Sequence, residues 1–86
     1  MLHFYDVGGL LVRRWVPGQR RVSLEVWGGD GWGPYPDVDH VSRHGHRITE
    51  AQSLAALHAI RARAGGLVPL SDEEADAALR ARQRRA

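Results

Sequence analysis

The sequence predicts an α+β fold: a three- to four-stranded antiparallel β-meander over residues 1–36, followed by two helices, the first packed on the sheet. Three observations carry this. Residues 21–27 (RVSLEVW) alternate apolar and polar side chains at the period of a half-buried strand. Glycine and proline cut the first third of the chain into strand-length pieces. Two capping boxes, Thr49 with Gln52 and Ser71 with Glu74, then open helical stretches.

Each element follows in order. Gly8-Gly9 suits the positive φ angles of a two-residue hairpin, which joins a strand over 2–7 to one over 10–16 and sets Tyr5 opposite Val12. Pro17-Gly18-Gln19 reads as a three-residue loop, pairing Val12 with Leu24, Leu10 with Val26 and Arg14 with Val22. A loop of two or four residues would turn Arg13 onto the Leu24 face, so the three-residue loop is the better choice. Trp27 and Trp32 bracket a four-residue turn, Gly28-Gly29-Asp30-Gly31, and Pro34 and Pro36 make the strand beyond it a short edge strand. Residues 37–47 (DVDHVSRHGHR) break the pattern and read as a polar His/Asp loop.

A helix over 49–64 then presents Leu54, Leu57, Ile60 and Ala64, the stripe expected to cover Val22, Leu24 and Val26. Its alanines at 51, 55, 59 and 62 form a shallow second face open to another helix, from this chain or from a second copy. The last helix, 71–84, starts acidic and ends arginine-rich, as the helix dipole favours, but its apolar side holds only Ala75, Ala78 and Leu79.

Composition narrows the function. A chain of 86 residues is one small domain, too short for a doubly wound nucleotide fold or an α/β barrel. It has no cysteine, which excludes disulfides and thiolate zinc sites. No apolar run approaches a membrane span, and residues 1–9 lack a basic start before a long apolar stretch, so a soluble cytoplasmic protein is expected. The pI of 9.9 overstates the basic character. All 12 basic residues are arginine and the net charge is only +2; the joint absence of lysine and asparagine fits a GC-rich genome. The charge is also blocked, −3 over 30–42, −4 over 65–79 and +4 over 80–86, rather than gathered in the dense stripe of a phosphate-tracking domain.

The second sheet face is the most informative feature. It collects Phe4, Leu11, Arg13, Trp15, Arg21, Ser23, Glu25 and Trp27, where a free face would be polar. Something must cover it: the chain's own helix or loop, a protein partner, or single-stranded nucleic acid stacked on the indoles. The sequence-based choice is a small non-enzymatic protein-interaction module, an accessory, regulatory or inhibitor subunit of the size common in phage and mobile elements. Its anchors would be Phe4, Trp15 and Trp27, oriented by Arg13 and Arg21. Nucleic-acid binding by the same face and the basic C-terminus is the alternative. Less favoured is a metal site at His40, His44 and His46, whose H-x3-H-x-H spacing matches no metal signature. No catalytic residue and no cofactor are assigned: Ser42 resembles a nucleophile beside His40 and His44 in composition only, and Gly28-Gly29-Asp30-Gly31 lacks the following helix of a phosphate loop. A meander followed by a Thr49-led helix resembles, in topology, the three-strand-plus-helix DNA-binding arms of integrases; the long 33–48 stretch departs from that pattern, and no residue is carried across.

Overall fold

The computed structural model describes residues 2–16, 24–35 and 38–82. Its α+β architecture is a five-stranded antiparallel sheet with helices on both faces. The strands are β1 (Leu2–Val7), β2 (Leu10–Trp15), β3 (Leu24–Trp27), β4 (Trp32–Pro34) and β5 (Gly45–Ile48), in the spatial order β4-β3-β2-β1-β5. The helices are α1 (Val38–His44), α2 (Glu50–Ala64) and α3 (Asp72–Arg80). No helix among the described residues is long and apolar enough to cross a membrane.

The meander forms as its turn chemistry dictates. Gly8 and Gly9 both adopt positive φ, and Tyr5 pairs with Val12. The GGDG turn sets Trp27 opposite Trp32, and β4 is a proline-bearing edge strand. Between β2 and β3 the register differs from expectation. Val12 pairs with Val26 and Arg14 with Leu24, two residues along from the Val12–Leu24 alignment. A shift of two keeps every side chain on its predicted face, because side chains alternate with period two. The Pro17-Gly18-Gln19 loop itself lies outside the described residues, as do Arg21, Val22, Ser23 and Pro36.

The stretch expected to be a polar loop is instead α1 and β5. Val41 is buried in a cluster with Val7, Val12 and Leu24, and β5 pairs antiparallel with β1, setting Ile48 opposite Phe4. The joint between helix and strand requires glycine: a Cβ at Gly45 would lie 2.5 Å from the Val41 carbonyl oxygen.

α2 packs on the sheet, but on the face opposite the expected one. Leu54, Leu57 and Ile60 meet Phe4, Leu11, Trp27 and Trp32, while the Val12/Leu24 face is covered by α1. The larger apolar payload of the aromatic face explains the choice, since burial is worth about 25 cal/mol per Å2. α3 docks beside α2 on the same sheet face through Ala75, Ala78 and Leu79. It does not take the alanine face: Ala51, Ala55, Ala59 and Ala62 remain exposed. An Arg80–Glu50 ion pair at 3.0 Å and a hydrogen bond between His58 Nε2 and Asp72 Oδ1 at 3.0 Å join the two helices. Both capping boxes form, and α3 ends at Arg80, short of the expected Arg84.

Candidate functional site

The arginine and tryptophans singled out in the sequence form a clasp inside the molecule. Arg13 is 0% exposed, Phe4 2% and Trp27 5%, all beneath α2 and α3. Arg13 Nε donates to Glu25 Oε1 at 2.9 Å, and its Nη1 donates to the Leu79 carbonyl oxygen at 2.8 Å. Trp32 Nε1 donates to the adjacent Ala78 carbonyl at 2.8 Å. These two donors satisfy carbonyls that the last turn of a helix leaves open. The guanidinium lies 4.1 Å from the centre of the Trp32 ring and 5.0 Å from that of Trp15. Trp15, half-buried at the rim, donates to Glu25 at 2.8 Å and carries Arg82 at 4.2 Å over its ring. Burial lowers the Arg13 pKa and Glu25 opposes that shift. The chain's own helices therefore occupy the face that a partner was expected to use, and Phe4, Arg13 and Trp27 are core residues. Glu25 and Trp32 were not foreseen in this role. Their signal was the Arg13–Glu25 cross-strand pairing, which the two-residue register shift concealed.

The histidines do not converge. His40 and His44 sit one helical turn apart on α1 with ring centroids 4.8 Å apart, whereas His46 lies on β5 opposite Asp6. Among the described residues no three His, Asp or Glu side chains gather as a metal site.

The other sheet face carries a feature that sequence reasoning missed. A cleft of about 250 Å3 opens between the sheet and α1, lined by Tyr5, Arg14, Leu24, Val41, Ser42, Gly45 and Arg47. Five elements meet there, β3 among them through Leu24. β1 supplies Tyr5, β2 supplies Arg14, β5 supplies Arg47 opposite Tyr5, and α1 supplies Val41 and Ser42. His3, opposite Arg14 and two residues from Tyr5 on the same strand face, adjoins it. Its pKa is depressed below 6.5 by partial burial, then by the charges of Arg47 and Arg14. Among the described residues no carboxylate lines the cleft. Among the described residues neither arginine has an acidic partner, and Arg14 Nε is buried with no hydrogen-bond partner. Arg14 was legible as a polar residue on an apolar face. Arg47 could not be placed beside it without knowing that residues 45–48 form a strand. Chemically the cleft offers two fixed positive charges and two hydroxyl-bearing side chains, against an apolar wall of Leu24 and Val41.

Comparison with protein-family models, with curated proteins and with solved structures found no match for the chain.

Proposed function

We propose that this chain is a small non-enzymatic interaction module that binds an anionic group of a larger partner in the cleft between Arg14 and Arg47. One observation carries the reading: two arginines on the same sheet face, one on each side of β1, line one concavity in which no carboxylate stands among the described residues. An anion seated in the cleft would be attracted by both charges at once. Proteins more often pair such arginines internally, as this one pairs Arg13 with Glu25 and Arg80 with Glu50 and Asp76. The lining suits holding an anion: guanidinium forks and hydroxyls donate, and no described residue there competes as an acceptor charge. The interaction-module reading thus keeps its class but moves from the tryptophan face to the opposite one.

Calorimetric titration of the full chain with tripolyphosphate tests this. Binding is expected for the parent protein and loss of it for the Arg14→Gln/Arg47→Gln double variant, with the melting temperature of the free variant unchanged or raised. Absence of binding by the parent, or equal binding by the variant, overturns the proposal.

A further inference from the structure

We infer, resting on the anion-binding reading above, that the group this cleft is shaped for is a phosphomonoester carried on a larger molecule. Charge is the first argument. Arg14 and Arg47 bring two fixed positive charges to one cavity, which matches the roughly −1.5 to −2 of a phosphomonoester at neutral pH. A carboxylate or a phosphodiester, with a single negative charge, would leave one arginine uncompensated.

Direction is the second. A planar carboxylate is satisfied by one guanidinium fork in its own plane. Here the candidate donors arrive from four elements: Arg14 from β2, Arg47 from β5, Tyr5 from β1 and Ser42 from α1. Donors spread around a concavity fit a tetrahedral group with three terminal oxygens.

Size is the third. About 250 Å3 falls below the roughly 300–1,000 Å3 of sites that engulf a whole small molecule. The phosphoryl group enters and its carrier remains outside, with Leu24 and Val41 offering an apolar wall to the first carbons of that carrier.

The test uses three anions of one aromatic series: phenyl phosphate (a monoester), methyl phenyl phosphate (a diester) and benzoate. Each is titrated into the full chain at pH 7.5 while the backbone amide resonances of His3, Arg14 and Arg47 are followed. Phenyl phosphate is expected to bind at least tenfold more tightly than the other two. Arg14→Gln and Arg47→Gln should each weaken it at least fivefold, and Arg63→Gln, which removes an exposed arginine on α2, should not. Circular dichroism establishes that each variant is folded. Equal binding of all three anions overturns the phosphomonoester assignment while leaving the anion cleft standing; binding of none overturns both. A phosphoserine tripeptide and a nucleoside 5′-monophosphate then separate the two sources of the group, and tighter binding of either than phenyl phosphate supports the inference and identifies the carrier. An unphosphorylated oligothymidylate, which offers only diesters, binding more tightly than phenyl phosphate overturns it in favour of a nucleic-acid strand.

Discussion

A guanidinium taken out of water needs a carboxylate beside it, and Arg13 has Glu25 at 2.9 Å. Breaking a buried pair by removing one partner costs about 3–5 kcal/mol, because the other charge stays buried and uncompensated. Glu25→Leu is therefore expected to lose stability on that scale in urea denaturation. The Arg13→Met/Glu25→Leu double variant should recover most of the loss, since apolar replacements of buried pairs are often neutral or better. A double variant as unstable as the single one would mean that the hydrogen bond from Arg13 to the Leu79 carbonyl carries the energy instead. His3 sits in a different balance. Arg14 faces it from β2 and Arg47 from β5, with Tyr5 beside it on its own strand, and its folded pKa lies below 6.5. The unfolded chain thus takes up this proton first as pH falls, so the free protein loses stability below about pH 6.5 until the folded form also titrates. A bound dianion reverses the local field and favours the protonated ring. By linkage, sulfate, whose charge is constant over this range, should bind several-fold more tightly at pH 5.5 than at pH 7.5. His3→Gln should flatten that slope, and a slope that survives the substitution would place the proton elsewhere.

α3 shows what an element needs when its own apolar side is thin. Its nine residues contribute Ala75, Ala78 and Leu79 to the core, too little to hold it by burial alone. Ser71 caps its first turn through the Glu74 amide, while Arg13 and Trp32 hold its last carbonyls. Ser71→Ala is expected to cost about 1 kcal/mol and Leu79→Ala about 2–5 kcal/mol. Hydrogen exchange should show the loss at α3 before α2, and an equal loss in both helices would mean that α3 does not open on its own. This element was legible at its start, where a capping box is a local signal, and not at its docking site, which depends on residues far away in sequence. The same division holds elsewhere. The glycine hairpins and the Thr49 box are local chemistry and formed as read. α1 and β5 were missed because Val41 and Ile48 are single apolar positions in a polar stretch. They become structural only when Val7, Leu24 and Phe4 are brought opposite them.

At the scale of the molecule, the two sheet faces divide the labour. One holds three tryptophans, a buried ion pair and two helices, and stabilises the fold. The other, half-covered by α1, leaves Arg14 and Arg47 in an open cleft. The sequence showed both faces but not their roles, because periodicity assigns residues to faces without saying which face a helix will choose. The aromatic side looked like a docking surface for the same reason that α2 and α3 bind it. The clasp also orders events during synthesis. Domains are made from the N-terminus, and Arg13, Trp15, Trp27 and Trp32 all precede the Ala78 and Leu79 carbonyls that two of them hold. The indoles are therefore made before either helix that covers them, α2 first and α3 after it.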